Sequence, residues 1–155
     1  MGKHLEIERK FLVKSPPAGW QQQPHSRIRQ GYFPIRAQEL EIRLRHQDRR
    51  YFITIKTGHG RTRREEEIPI PRGRFAALWP LTRGARIAKT RYRIPFKRLT
   101  IEMDVYERPH RGLRTADIEF DSRRESKGFY PPEWLGREIT GNPRYANRRL
   151  ARRVA

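Results

Sequence analysis

The sequence predicts a mainly β fold, in which eight antiparallel strands close into a barrel with short flanking helices and a C-terminal helix. Three observations point there. Polar and apolar residues alternate with period two through eight segments, as strands with two unlike faces require. The gaps between most of those segments are of hairpin length and carry turn residues, with no β-α-β rhythm. A chain of 155 residues and 18.7 kDa suits one domain, 1–155, whose sheet loses its exposed edges by closing.

The elements follow in order. In residues 5–11, Glu6, Glu8 and Lys10 share one face and Leu5, Ile7 and Phe11 the other. Residues 14–25 read as a loop, and 26–33 as a weaker strand. Glu39, Glu41, Arg43 and Arg45 then alternate with Leu40, Ile42 and Leu44. Through 51–56, Phe52, Thr54 and Lys56 oppose Tyr51, Ile53 and Ile55. A run from Arg61 ends with Glu65 and Glu67 on one face and Ile68 and Ile70 on the other. A helix is predicted over 75–81. Lys89, Arg91 and Arg93 alternate with Thr90, Tyr92 and Ile94; Glu102 and Asp104 with Ile101, Met103 and Val105; Asp117 and Glu119 with Ala116, Ile118 and Phe120. Turn signals fall at 57–60, 95–97 and 109–112. A second helical stretch is predicted from Pro132 onward, its Arg-rich end at 144–153 forming an amphipathic helix with a basic face.

Composition narrows the function. Leu, Ile, Val and Phe number 33, close to the range where charged chains stay disordered, while 10% aromatic residues favour folding. No stretch is long and apolar enough to span a membrane, and the first ten residues lack the apolar run of a signal peptide. The absence of cysteine excludes disulfides, thiolate metal sites and cysteine nucleophiles, and fits a cytoplasmic protein. Five scattered histidines, none four residues from another, argue against a zinc site. The net charge is +19, and 29 of the 36 basic residues are Arg, which forks onto phosphate oxygens. Such a chain attracts polyanions, and a general RNA- or polyanion-binding barrel is the simplest reading of that charge.

The carboxylates complicate that reading because they are ordered. Six acidic pairs stand two residues apart (6/8, 39/41, 65/67, 102/104, 117/119, 119/121), against about two from random placement. Basic pairs at the same spacing include 27/29, 43/45, 89/91 and 91/93. Either these faces are the solvated outside of an apolar barrel, or they line a wet tunnel whose apolar faces look outward. Periodicity alone does not choose. On a lining, facing carboxylates take up protons unless a divalent cation sits between them, and acids mixed with bases suit a metal–phosphate complex.

The run Leu5-Glu6-Ile7-Glu8-Arg9-Lys10 resembles the E-x-E-x-K strand of the CYTH family, the triphosphate tunnel metalloenzymes. Ile28-Arg29-Gln30-Gly31-Tyr32, Glu41-Ile42-Arg43-Leu44-Arg45, Phe52-Ile53-Thr54-Ile55-Lys56, Lys89-Thr90-Arg91-Tyr92, Glu102-Met103-Asp104-Val105 and Asp117-Ile118-Glu119-Phe120 follow in the family's order. Trp134-Leu135-Gly136-Arg137-Glu138-Ile139-Thr140-Gly141 is similar to its C-terminal signature. The resemblance, to the short inorganic triphosphatase branch, implies an eight-stranded charged tunnel that binds a triphosphate with Mg²⁺ or Mn²⁺. It implies metal ligation by Glu6, Glu8, Asp117 and Glu119, with Asp117 shorter than the family's usual Glu. Lys10, Arg43, Arg45, Lys56, Lys89 and Arg91 match positions that hold the phosphate chain. Glu65, Glu67 and Asp104 fall on the same lining as secondary metal or water-positioning groups, and Glu8 with Lys10 would serve catalysis. The expected reaction is hydrolysis of inorganic tripolyphosphate to pyrophosphate and phosphate. Adenylate cyclase and thiamine triphosphatase are the alternatives within the family. The expected partner is a triphosphate-containing small molecule, with no membrane and no specific nucleic acid. An outward apolar face at Leu40, Ile42 and Leu44 needs a cover, which the second subunit of a homodimer could supply.

Overall fold

The computed structural model describes residues 6–37, 39–58 and 64–152. Among them run nine strands: β1 Ile7–Val13, β2 His25–Tyr32, β3 Leu40–Gln47, β4 Arg50–Thr57, β5 Arg64–Pro69, β6 Arg86–Phe96, β7 Leu99–Tyr106, β8 Arg114–Phe120 and β9 Leu135–Glu138. Three short helices accompany them, α1 Arg72–Leu78, α2 Arg123–Lys127 and α3 Asn147–Leu150. All eight predicted strands are present, and the fold is mainly β and antiparallel. Leu5, the start of the run at Arg61, the end of the 57–60 turn and Arg153 of the tail lie outside the described residues.

The chain forms two compact units, one built from residues 27–88 with 146–152, the other from 6–26 with 89–145. In the first unit the strands lie in the order β5-β4-β3-β2. Its registers place Arg43 beside Thr54 and Tyr32, Arg45 beside Phe52 and Gln30, and Lys56 beside Glu41 and Glu65. Side chains alternate along a strand, so these residues and Glu67 share one face, while Ile42, Leu44, Ile53 and Ile55 share the other. Part of that apolar face is covered by α1 and the 3₁₀ turn Trp79–Thr82. Phe75 packs on Tyr51 at 5.0 Å and His46 at 5.7 Å between ring centroids. Thr82 sits so tightly on β2 that a Cβ at residue 31 would overlap its hydroxyl, which is why glycine stands there. Leu44 is fully buried, and Leu40 and Ile42 are half-buried. The predicted helix over 75–81 starts earlier and stops at Leu78, because Pro80 cannot donate to an α-helical hydrogen bond.

In the second unit the order is β6-β7-β8-β1-β9. Phe11, Val13, Ile94, Ile101, Met103, Ala116, Ile118 and Phe120 form one apolar face, closed by Phe129 and Leu135. The Phe129 ring lies 5.3–6.1 Å from Phe120, Phe96 and Phe11. Helix α2 brings it there, starting where the Ser122 hydroxyl accepts from the Glu125 amide and ending at Gly128. Arg9, on the same face, donates to the carbonyls of Ser126 and Phe129 and forks onto Glu138 at 2.7 and 3.0 Å. Those bonds hold the Glu138 carboxyl below its ordinary range. The helix expected from Pro132 onward is replaced by β9, which pairs with β1. Pro131, Pro132, Gly136, Gly141 and Pro143 interrupt helical hydrogen bonding, while Leu135 and Ile139 gain burial in the extended form. Of the predicted amphipathic tail, the described residues form the 3₁₀ turn Pro143–Tyr145 and the single α-helical turn α3; Arg148 there donates to the Ile35 carbonyl.

Candidate active site

The apolar core of the second unit lies behind its sheet, and the charges lie in front. The registers Glu8↔Glu119, Lys10↔Asp117, Glu102↔Asp117, Arg91↔Asp104 and Lys89↔Tyr106 put all these side chains on the face opposite Phe11 and Ile118. Three predicted metal ligands, Glu8, Asp117 and Glu119, are therefore neighbours on two adjacent strands. Glu6 stands just before β1 and is exposed.

Asp104 is the most constrained of the group. It and Lys89 are 0% exposed, and its Oδ2 accepts from Lys89 Nζ at 2.7 Å. Arg91 forks onto the same carboxylate, Nε to Oδ1 at 2.8 Å and Nη2 to Oδ2 at 2.9 Å. Burial alone would raise the Asp104 pKa; Arg91 and then Lys89 outweigh it and hold the carboxyl well below the usual range. Burial likewise opposes the Arg91 charge, and Asp104 reverses that effect. Arg91 also reaches Glu102 at 3.3 Å and Asp117 at 3.8 Å. At Asp117 the balance differs. Burial, aided by Asp104, pushes its carboxyl up against the pull of Lys10, Arg91 and Lys89. Lys10 Nζ donates to the Tyr145 carbonyl at 3.1 Å.

On the polar face of the first unit, Glu65 joins Arg43 and Lys56, each at 3.6 Å, and Glu41 lies 3.7 Å from Arg43. Arg45 Nε donates to Gln30 Oε1 at 3.0 Å, and Gln30 Nε2 to the Tyr32 hydroxyl at 2.8 Å. Arg43 Nε and Thr54 Oγ1 are buried without a hydrogen-bond partner in the structure. Buried polar atoms are normally satisfied by protein or by ordered water. Gln30, Tyr32, Thr54, Glu102 and Tyr106 were not among the predicted site residues, although period two from their charged neighbours could have found them. Arg27 and Arg29 are a correction. Their spacing matches the other basic pairs, but Gln30↔Arg45 pairing and the Gly31–Thr82 packing turn them to the opposite face of β2.

The donor set fits a hard divalent cation. Glu8 faces Glu119 directly across the strands, a like-charge juxtaposition that a cation relieves, and Asp117 is a desolvated carboxylate on the next row. Among the described residues no group of three or more His, Asp or Glu side chains is placed to hold a metal ion by itself. A hard divalent cation keeps several waters and needs only a few protein oxygens.

A family model for the CYTH domain matches residues 4–140. The chain belongs to the CYTH domain family. The inorganic triphosphatase of Nitrosomonas europaea is 42% identical over 149 residues, 94% of this CYTH chain and 96% of that one. That of Acetivibrio thermocellus is 36% identical, over 98% of this chain and 95% of its own. A crystal structure of an inorganic triphosphatase superimposes with a TM-score of 0.75 at 38% identity, covering 96% of this chain and 95% of that one. A Pyrococcus horikoshii protein, 18% identical with a TM-score of 0.57 over 79% of this chain and 82% of its own, shares the fold. Among the described residues no helix is long and apolar enough to cross a membrane.

Proposed function

We propose that this chain is an inorganic triphosphatase that hydrolyses tripolyphosphate to pyrophosphate and phosphate with Mg²⁺ or Mn²⁺. One observation carries the reading. The second unit sets Glu8, Asp117 and Glu119 beside Lys10, Lys89 and Arg91 on a single face, backed by an apolar core. Its similarity to named triphosphatases over nearly its whole length supports the substrate class.

Glu8, Asp117 and Glu119, with Glu6 at the strand entrance, would hold the metal, which supplies charge neutralisation on the phosphoryl oxygens. Lys10 binds the phosphate chain, as do Lys89 and Arg91, whose positions Asp104 pins. Arg43, Arg45 and Lys56 of the first unit take the same role by family pattern, with Glu65 and Glu67 orienting their neighbours. Glu8 orients a water toward the terminal phosphorus and takes up its proton. The new P–O bond forms as the bridging P–O bond breaks, and pyrophosphate leaves with its charge held by the surrounding cations.

A substrate panel tests this: tripolyphosphate, ATP, thiamine triphosphate and pyrophosphate, each with Mg²⁺, Mn²⁺ or EDTA. Phosphate release is expected to be fastest from tripolyphosphate and abolished by EDTA. Glu8→Gln is expected to lower kcat on the order of 10²–10³-fold, and Lys10→Ala to raise KM. Full metal-dependent turnover by Glu8→Gln overturns the catalytic assignment. Cyclic AMP formation from ATP as the main reaction, or salt-steep RNA binding with no turnover, overturns the function.

A further inference from the structure

The first unit carries a second group of cations, on the face of β2 opposite Gln30 and Tyr32. The Arg29 guanidinium lies 5.0 Å from the Trp79 ring centroid, and that of Arg86 lies 4.3 Å from it. Arg86 is fixed in place: its Nε donates to Thr82 Oγ1 at 3.0 Å and its Nη2 to the Trp79 carbonyl at 2.6 Å. The Thr82 hydroxyl donates to that same carbonyl at 2.7 Å. Burial lowers the Arg86 pKa, and the charges of nearby Arg83 and Arg29 lower it further.

What sets this group apart is that no counter-charge is paired to it among the described residues. Lys89 and Arg91 share Asp104, and Arg43 has Glu41 and Glu65. Among the described residues no carboxylate pairs with Arg29, Arg83 or Arg86. Like charges gathered over a partly buried indole repel one another unless an anion joins them. The Trp79 ring also shows which anion fits. Phe75 stacks on it at 5.0 Å and 23°, and the guanidiniums lie over it, so a nucleobase has no platform to stack on. Phosphate oxygens need only the guanidinium forks.

We propose that Arg29 and Arg86, over the Trp79 ring, together with Arg83 at the end of the Trp79–Thr82 turn, form a second anion site that takes a free inorganic oligophosphate. The site stands apart from the carboxylate-bearing face and does not depend on the hydrolytic reading.

The test is calorimetric and fluorescence titration of the full chain with sodium pyrophosphate in EDTA at constant ionic strength. Lys10→Ala is used as the background, to weaken the other phosphate-binding face. Saturable binding with a change in tryptophan emission is expected there. Adding Arg29→Gln and Arg83→Gln should weaken it roughly tenfold or more, and the Arg29→Lys/Arg83→Lys pair should weaken it less. Arg83→Gln alone, at an exposed position, is the decisive variant if the double change unfolds the chain; it should still weaken binding severalfold. No saturable binding in the background, or unchanged affinity after Arg83→Gln and the double change, overturns the site. Tight binding of a single-stranded RNA that pyrophosphate cannot displace overturns the choice of ligand.

Discussion

At Asp104 three hydrogen bonds from two cations converge on one carboxylate that water does not reach. Such an arrangement does little for net stability, but removing one partner leaves the others charged and buried. Asp104→Asn is expected to destabilise the fold by about 3–5 kcal/mol in urea unfolding at neutral pH. The folded pKa lies below the unfolded value near 4. The contribution is therefore complete above about pH 4 and is lost as the pH falls through the folded value in strong acid. A mutant–wild-type difference that stays constant down to strong acid would refute the pairing. Asp117 has the opposite sign. Its raised pKa means that the ionised form costs stability above the folded pKa, a cost that fades as the pH falls toward the unfolded value. Asp117→Asn, melted in EDTA, should be at least as stable as wild type, while its metal-dependent turnover drops on the order of 10²-fold. A lower Tm with unchanged turnover would make Asp117 structural.

At the scale of elements, covering pieces decide which strand face is which. Thr82 against β2 and Phe129 against β1 and β8 each seal an apolar side, leaving the ionic side in front. Gly31→Ala places a methyl where the Thr82 hydroxyl sits, and overpacking of this kind costs about 1–3 kcal/mol. Urea unfolding checks it, and a loss below a few tenths would mean that the 3₁₀ turn yields freely. Alternation made all eight longer strands legible, since two unlike faces write themselves into every second residue. Strand β9 left no such trace. It has four residues, a glycine among them, and its place depends on Gly136 lying 3.2 Å, at an added Cβ, from the Leu12 carbonyl. Arg27 and Arg29 misled for a related reason: a basic i,i+2 pair states that two residues share a face without stating which face.

For the molecule as a whole, a net charge of +19 draws a polyanionic substrate from beyond contact range. The Debye length falls from about 10 Å at 0.1 M salt to about 3 Å at 1 M. The kcat/KM for tripolyphosphate should therefore fall severalfold across that range while kcat holds nearly constant. A flat kcat/KM would confine electrostatics to the contact residues.

Chain geometry and charge were determined by the sequence alone. The strand period, the acidic and basic rows, the exclusion of thiol chemistry and the family pattern are properties of neighbouring residues or of composition. Tertiary structure decided which charges are committed to partners and which are not. Lys89 meets Asp104 across a hairpin, Arg9 meets Glu138 from 129 residues away, and Arg29 and Arg86 meet Trp79 with no acid paired to them among the described residues. Register and burial set these encounters, and both arise from strands and covers brought together by packing, at separations that no local period records.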